Sequence, residues 1–144
     1  MTFEVKLSYT KLLETGQHKK VCEGFLVYAD SYGEAEQKML HYAELFMFEE
    51  PTLTSIRESS LLHIFQCSSD CPCFEASISI ITLDERTGRE KSKSARVLVQ
   101  TFDMEQAKRL LQVSMNDLLI DYHLTAIKES RIADLIDIDS APDL

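Results

Sequence analysis

The sequence predicts an α+β fold: internally duplicated β-β-α-β units that form one pseudo-two-fold domain with an antiparallel sheet and two amphipathic helices. Three observations lead to this prediction. The heptapeptide LTSIRES at 53–59 returns as LTAIKES at 124–130, 71 positions later. Alternating apolar segments precede both copies, and so does one segment of helical periodicity in each half. Self-similarity at a fixed spacing indicates that the fold itself repeats.

The first two strands of each half are predicted from alternation. FEVKLSY from residue 3 and FEASISI from residue 74 carry an apolar residue at every second position, as a half-buried strand requires. Return strands follow at 24–29 (GFLVYA) and 96–101 (RVLVQT). The polar turns TGQHKK and TGREKSK lie between them, and the second turn is one residue longer. Glycine followed by charged residues between alternating segments is typical of a hairpin.

Each half continues with one amphipathic helix and a third strand. Helices are predicted at about 32–48 and 104–118, because a capping pair precedes each. The capping pairs are Ser31 with Glu34, and Asp103 with Gln106. Third strands are predicted at 52–58 and 122–129, and the alternation slips inside each, which predicts a bulge or a strand end. The apolar segments SLLHIF and RIADLIDI that follow fit either a strand or a short helix.

These elements divide the chain into a first β-β-α-β repeat at 1–66, a cysteine-containing linker at 67–73, a second repeat at 74–138 and an acidic tail at 139–144. One half would be marginal by itself, since it exposes a sheet face and a helix stripe. Two copies can bury these surfaces jointly. The residues predicted to form the core are Phe3, Leu7, Phe25, Val27, Met39 and Phe46, with their counterparts Phe74, Ile78, Val97, Val99, Leu111 and Leu118.

The composition argues against nucleic-acid binding, membrane insertion and secretion. The 144 residues carry a formal net charge of −9, so the average field repels nucleic acid and anionic membranes. No apolar run approaches the ~18 residues of a membrane span. The N-terminal residues alternate and carry charges, unlike a secretory signal, so a cytoplasmic location is expected.

Positive charge is concentrated in the two predicted hairpins. Basic tips can bind the phosphates of a nucleic acid or a nucleotide. No aromatic residue interleaves with these charges, so a base-stacking platform is not evident, and solvated turns are the simpler interpretation. The candidate ligand-binding residues are Lys19, Lys20, Arg86, Arg89, Lys91, Lys93 and Arg96.

One cluster has the composition of a metal site. His63, Cys67, Cys71 and Cys73 form H-x3-C-x3-C-x-C, and four soft ligands can surround zinc. The spacing differs from the usual C-x2–4-C pairs, so a linker with incidental cysteines is the preferred interpretation, and no metal or cofactor is expected. Reduced thiols are expected in a cytoplasmic protein.

The acidic C-terminal segment DLIDIDSAPDL resembles a solvated tail or, alternatively, a peptide that docks on a partner protein. It lacks the glycine and distal glutamate of a calcium loop. The chain contains only four glycines and no Gly-rich phosphate loop, nucleophile elbow or H-E-x-x-H motif. A non-enzymatic protein is therefore predicted.

Three segments carry a family resemblance: FLVYADSYGEAE, ITLDERTGREK with the later LVQ, and DYHLTAIKESRIADLI. Together they resemble a domain-of-unknown-function family of small proteins from gut Bacteroides-type bacteria and their phages. The resemblance covers nearly the whole chain and is most specific at 81–91. It implies an accessory protein of phage or mobile-element gene neighbourhoods, and it supplies no catalytic residues. The chain departs from the family pattern at 67–73, where cysteines replace acidic residues.

The leading hypothesis is a non-enzymatic, phage-type accessory protein that acts as a binding or adaptor module for a protein partner. Self-association is also expected, because an open sheet edge invites pairing. The alternative is a nucleic-acid- or nucleotide-binding module that uses the two basic hairpin tips.

Overall fold

The computed structural model describes residues 1–67 and 70–138. Within these residues the chain forms eight strands and two helices, which confirms the α+β prediction. Each half contains the order β-β-α-β-β. The elements are β1 (Thr2–Leu12), β2 (His18–Tyr28), α1 (Tyr32–Leu45), β3 (Glu49–Glu58), β4 (His63–Gln66), β5 (Cys73–Leu83), β6 (Glu90–Gln100), α2 (Met104–Asp117), β7 (Tyr122–Glu129) and β8 (Ile132–Ile136).

The chain packs into two compact units that do not coincide with its two halves. Unit 1 contains Met1–Ser59 and Arg131–Ile138, and unit 2 contains the described residues of Ser60–Ser130. The strand order is β3-β1-β2-β8 in unit 1 and β4-β6-β5-β7 in unit 2. β8 therefore pairs in unit 1 although it follows β7, and β4 pairs in unit 2 although it follows β3. We call β4 and β8 the exchanged strands.

Each sheet is antiparallel except where an exchanged strand joins it. β1 pairs with β2 and β3, and β5 pairs with β6 and β7, all antiparallel. β8 lies parallel to β2, and β4 lies parallel to β6. The segments SLLHIF and RIADLIDI, whose periodicity left strand and helix open, thus contain the short strands β4 and β8.

The two hairpins follow the predicted difference in length. Residues 13–17 connect β1 to β2, and residues 84–89 connect β5 to β6, so the second turn is longer by one residue. Gly16 has a φ of 83° and Gly88 a φ of 67°. Both values lie in the left-handed region, which glycine enters without the Cβ clash of other residues.

The repeated heptapeptide forms the same irregularity in both sheets. The β1–β3 register shifts between Lys6 and Leu7, and the β5–β7 register shifts between Ser77 and Ile78. Of the two alternatives that the slipped alternation predicted, a bulge and a strand end, the structure has the bulge. The extra residue at the shift, which has no cross-strand partner in the register, is Thr54 in β3 and Thr125 in β7. The Thr54 hydroxyl donates to the carbonyl of Lys6 at 3.2 Å, and the Thr125 hydroxyl donates to that of Ser77 at 2.8 Å. In each bulge a threonine hydroxyl thus supplies a donor beside the disrupted ladder.

Both helices begin at the predicted residues. The Ser31 hydroxyl accepts the backbone N–H of Glu34 at 3.2 Å, and the Asp103 carboxylate accepts that of Gln106 at 2.8 Å. The Glu34 carboxylate also accepts the N–H of Asp30 at 3.2 Å. These contacts satisfy backbone donors that have no partner inside the helix.

Helix α1 ends three residues earlier than predicted, at Leu45, and α2 ends one residue earlier, at Asp117. Met47 (φ 54°) and Leu119 (φ 57°) enter the left-handed region directly after the cap. The N–H of Met47 bonds to the carbonyl of Glu44, and the corresponding bond of α2 runs from Leu119 to Asn116. This is a Schellman termination with a large apolar residue where glycine is usual.

Each unit has its own apolar core between its sheet and its helix. Most predicted core residues are buried there, but the prediction for Phe46 is wrong, since it is 58% exposed, and Leu118 is only half-buried. Phe46 is the C-cap of α1, where the chain leaves the helix, and its ring lies beyond the last buried turn. The core of unit 1 includes Phe3, Val5, Leu7, Phe25, Val27 and Met39, and the core of unit 2 includes Phe74, Ala76, Ile78, Val97, Val99 and Leu111.

Candidate functional site

The predicted basic residues of the first hairpin lie on opposite faces of the sheet of unit 1. Lys19 pairs with Lys11 across the hairpin, and Lys20 pairs with Thr10. Successive residues of a strand face opposite sides, so Lys11 and Lys19 share the face that carries Tyr9. Neither lysine forms an ion pair within the described residues. Like charges directly opposite each other are destabilising, so Lys11 and Lys19 form an unfavourable cross-strand pair.

Two predicted basic residues of unit 2 are paired with carboxylates. Lys91 Nζ lies 3.3 Å from Asp84 Oδ2, and Arg96 Nη1 donates to Glu75 Oε1 at 2.7 Å. The backbone N–H of Arg86, followed by the side chain of Lys91, lowers the pKa of Asp84 below its ordinary value of 3.8. Asp84 thus organises the turn and offsets part of its positive charge.

The other three predicted cations of unit 2 remain available. Arg86 and Arg89 lie in the turn, and Lys93 lies in β6 opposite Ile80. None of the three forms an ion pair within residues 1–67 and 70–138. Of the seven predicted cations, two belong to unit 1, two of unit 2 are neutralised, and three of unit 2 form no ion pair among the described residues.

The residues of the candidate zinc site lie in different surroundings. His63 is in β4, where its ring stacks on Phe65 with the ring centroids 5.7 Å apart. Cys67 is exposed, Cys71 is half-buried and Cys73 is buried. No group of three or more His, Cys, Asp or Glu residues is positioned around a common point in the described part of the chain.

The acidic C-terminal segment is partly strand. Asp134 lies in β8 and accepts a hydrogen bond from Tyr42 Oη at 2.7 Å, and Asp137, just after β8, lies 3.1 Å from Lys38 Nζ. These two aspartates have partners inside unit 1. The predicted tail at 139–144 lies outside the described residues.

A surface that the sequence analysis missed lies where the end of α1 meets the first hairpin. We call it the aromatic end. It combines aromatic rings with aliphatic and methionine side chains on a largely exposed surface. Its members are Tyr9, Leu12, Tyr42, Leu45, Phe46, Met47 and Phe48.

The rings of the aromatic end form a connected stack. The centroids of Tyr9 and Phe48 are 4.0 Å apart with nearly parallel planes, and those of Tyr42 and Phe46 are 4.4 Å apart. Phe46 and Phe48 are 6.3 Å apart, which joins the two pairs. Met47, between them in sequence, is 86% exposed. Such contacts fix the rings in place, so a partner would meet a preformed surface.

Local structure explains the position of each ring. The left-handed turn at Met47 separates Phe46 from Phe48, and β1 brings Tyr9 beneath Phe48. The Tyr9 hydroxyl donates to the Glu23 carboxylate. Burial, and then this hydrogen bond, raises the pKa of Tyr9 far above its ordinary value of 10.0. The Tyr9 hydroxyl therefore stays neutral, and its ring packs beneath Phe48 as an apolar surface.

The aromatic end surrounds an open cleft of about 370 Å³. Lys11 and Glu49 lie at its edge together with Leu12 and Met47, so the cleft has an apolar interior and a charged margin. Glu49 lies 3.7 Å from His18. Aromatic and methionine side chains are enriched in protein interfaces, because they supply large contact area.

Five of the seven corresponding positions of unit 2 are apolar, and none carries an aromatic ring; Tyr42 and Leu45 correspond to Ser114 and Asp117. At offsets of 71 or 72 residues, Ile80 stands for Tyr9, Leu118 for Phe46, and Ile120 for Phe48. Leu119, the counterpart of Met47, is 91% exposed, and Leu83, the counterpart of Leu12, is 69% exposed. The exposed apolar end is common to both units, and its aromatic character is specific to unit 1.

One signal in the sequence pointed to this surface. The segment FMFEEP, residues 46–51, keeps large apolar residues beyond the point where α1 could continue. Helical spacing assigned Phe46 to the core, because nothing in the sequence marks the left-handed turn at Met47.

Among the described residues, no helix is long and apolar enough to cross a membrane.

Comparison with known proteins places the chain in a family. No curated protein and no solved structure matches it. A family model does match, over residues 1–138, which is nearly the whole chain. The chain belongs to the family described as Domain of unknown function (DUF4494).

Proposed function

We propose that the chain is a non-enzymatic binding or adaptor module that binds a protein partner through the aromatic end. The observation that carries the proposal is the exposed apolar surface of Leu45, Phe46 and Met47, which are 63%, 58% and 86% exposed. Such contiguous apolar surface is costly in water unless a partner covers it. Aromatic and methionine anchors in a pocket are also the side chains that dominate binding energy in interfaces.

The charges beside the cleft specify the partner segment. Lys11 and Lys19 lie opposite each other without an ion pair among the described residues. A carboxylate placed between them would remove their mutual repulsion. We infer a partner segment with one large apolar side chain, which fills the cleft, followed by acidic residues. This assigns Lys19 a role in protein binding.

Matched variants test this function. The full chain, tagged, captures partners from a lysate of its host, alongside Met47→Gly and Leu119→Gly. Both changes replace an exposed apolar residue of positive φ with glycine, so each keeps its fold. We expect Met47→Gly and Lys19→Glu to lose a partner that the wild type and Leu119→Gly retain. Equal capture by all four proteins would refute binding at the aromatic end.

A nucleic-acid- or nucleotide-binding module is the second candidate. It is favoured by Arg86, Arg89 and Lys93, which form no ion pair within the described residues. Replacing all three removes about three phosphate contacts, each of which contributes about 0.9 to the salt slope of binding to duplex DNA. The slope should then flatten by roughly 2–3 units. A wild-type protein that binds neither DNA nor nucleotide at low salt would exclude this candidate.

The biological setting is also a proposal. We propose a cytoplasmic accessory protein of phages or mobile elements of Bacteroides-type bacteria. We further propose that its two halves arose by duplication of a β-β-α-β unit, with a pseudo-two-fold relation. The shared order of elements, the bulged threonines 54 and 125, and the left-handed residues Met47 and Leu119 support the duplication. Gene neighbourhoods free of phage or mobile-element genes would argue against this setting.

A further inference from the structure

The exchanged strand β8 is joined to one unit and packed in the other. β7, in the sheet of unit 2, ends at Glu129, and β8, in the sheet of unit 1, begins at Ile132. Only Ser130 and Arg131 connect them. We call this two-residue connection the hinge. The position of β8 therefore depends on a contact between segments that are distant in sequence.

The pairing of β8 with β2 is short. Gly24 pairs with Ile132, and the register then shifts before Phe25 pairs with Asp134. The pairing ends at Val27 and Ile136. Within β8 only Ile136 is buried, with 8% of its surface exposed. Little apolar area holds β8 in place, so this strand has the features of a segment that opens locally.

Polar contacts at the surface complete the attachment of β8. Tyr42 Oη donates to Asp134, and Lys38 Nζ lies 3.1 Å from Asp137 and 3.3 Å from Glu34. Lys38 also donates to the carbonyl of Tyr28 at 2.7 Å. These contacts match the acidic residues of β8 and its end. Surface ion pairs, however, contribute little to the free energy of unfolding.

We call the surface of β2 and α1 on which β8 packs the seat of β8. The distance between this surface and the strand differs along β8. A Cβ atom on Gly24 would lie 3.3 Å from Ile132 Cδ1 and 3.6 Å from the carbonyl oxygen of Arg131. Glycine at this position lets the start of β8 approach β2 closely. Between β8 and α1, by contrast, an open cleft of about 270 Å³ remains beside His41 and Leu135. The fit is thus close at the entry of the strand and loose along its helix side.

We propose that β8 of one copy docks on β2 of a second copy, which produces a reciprocal strand-exchanged dimer. Every contact of β8 with its seat is the same whether strand and seat come from one chain or from two. The balance then depends on concentration and on the hinge, and short hinges favour exchange between chains. The partner is a second copy of this chain, recognised by its own apolar and acidic strand.

The hinge provides the first test on the full chain. Deleting Ser130 shortens the hinge to one residue. Inserting the four residues Gly-Ser-Gly-Ser after Ser130 lengthens it. Each protein is refolded from urea at low and at high concentration, and its mass is measured by light scattering. We expect the deletion to be mainly dimeric, the wild type to form dimer that increases with refolding concentration, and the insertion to stay monomeric. A wild type that stays monomeric at every concentration, or equal dimer in the wild type and the insertion, would overturn the proposal.

Complementary charges test whether β8 is the exchanged element, even if the deletion fails to fold. In Lys38→Asp and in Asp137→Lys, the residues at 38 and 137 repel each other within one chain. When the two variants are refolded together, both exchanged contacts of a heterodimer carry opposite charges. We expect the ratio of heterodimer to homodimers to be about threefold above its statistical value at low salt, and equal to that value at high salt. A statistical mixture at low salt would mean that β8 does not exchange between copies.

Discussion

The two units hold their exchanged strands by different chemistry. In unit 1, two aspartates attach β8: Asp137 forms an ion pair with Lys38, and Asp134 accepts a hydrogen bond from Tyr42. In unit 2, two neutral amides hold β4, that of Gln66, which is half-buried, and that of Gln100, which is buried. Gln66 Nε2 donates to Gln100 Oε1 at 2.5 Å, and no surface of Gln100 is exposed.

The amide contacts of unit 2 extend beyond the strand pair. Gln100 Nε2 donates to the carbonyl of Cys71 at 3.0 Å, and the backbone N–H of Cys67 donates to the backbone carbonyl of Gln100 at 3.0 Å. Phe65 adds a buried ring, with 4% of its surface exposed. A buried network is costly to break because its members are left without partners. The comparison teaches that one backbone pattern can be made firm or releasable by the side chains around the added strand.

The largest expected effect tests whether the two units have separate cores. Phe25 is 1% exposed in unit 1, and Phe74 is 6% exposed in unit 2. Phe25→Ala and Phe74→Ala should each lower the free energy of unfolding by about 3–5 kcal/mol, because each leaves a cavity. Denaturant unfolding measures the loss. Hydrogen exchange then locates it, and we expect faster exchange first in the unit that carries the change. Equal acceleration in both units would show that the cores unfold together.

The second prediction compares the two attachments directly. Gln100→Leu should lower the free energy of unfolding by about 1–3 kcal/mol, because the half-buried Gln66 amide and the carbonyl of Cys71 both lose their hydrogen-bond partner. Lys38→Met removes the exposed attachment of unit 1 and should cost less. Denaturant unfolding of both variants provides the comparison. A larger loss for Lys38→Met would reverse the assignment of the firm and the releasable strand.

The parts of the fold that local signals determine could be predicted from the sequence. The predicted helix starts were correct because each is marked by a local contact. The N-cap residues Ser31 and Asp103 each bond to a residue only three positions later. The positions of the two irregularities were predicted because a slipped alternation is visible in one strand, but the sequence did not decide between a bulge and a strand end. Helix ends were misplaced, because the left-handed residues Met47 and Leu119 are not glycines and give no sign of termination.

Features that depend on distant contacts could not be predicted. The partner of β8 is β2, more than a hundred residues earlier, and RIADLIDI carries no information about that pairing. The basic residues were recognised by type, but the neutralisation of Lys91 by Asp84 and of Arg96 by Glu75 requires the folded hairpin. The aromatic end was missed for the same reason, since its rings meet only where β1 reaches the end of α1.

The third prediction concerns the exposed apolar residues that end the helices. Met47→Gly and Leu119→Gly should each raise the free energy of unfolding by about 0.5–1 kcal/mol, because glycine removes the cost of a left-handed conformation. Thermal unfolding of the two variants checks the gain. A loss of stability in Met47→Gly alone would mean that its side chain supports the aromatic end instead of being kept for a partner.

The fourth prediction compares the two bulges. Thr125→Val should cost about 0.5–1.5 kcal/mol, because the hydrogen bond to Ser77 is lost. Thr54→Val should cost less, since its bond to Lys6 is longer, at 3.2 Å against 2.8 Å. Valine keeps the branched shape, so the difference reports the hydroxyl. Equal unfolding free energies of both variants and the wild type would make the threonines incidental to the bulge.

The smallest effect is a dependence of the β8 attachment on pH, measured as hydrogen-exchange protection of the β8 amides corrected for intrinsic rates. The N–H of Asp30, and then Lys38, lowers the pKa of Glu34 below its ordinary value of 4.5, so the contribution of Glu34 is complete above pH 4.5 and is lost as the pH falls through the lowered pKa. Asp137, and then Glu34, raises the pKa of Lys38 above 10.5, so that contribution is lost only as the pH rises through the raised pKa. We therefore expect β8 protection to be greatest between these limits and to fall in acid. The amides of Gln66 and Cys67, at the end of β4, serve as the internal control, because the side chains of Gln66 and Gln100 that hold this end do not titrate. Equal acid sensitivity of β4 and β8 would show that the charged contacts do not distinguish the two attachments.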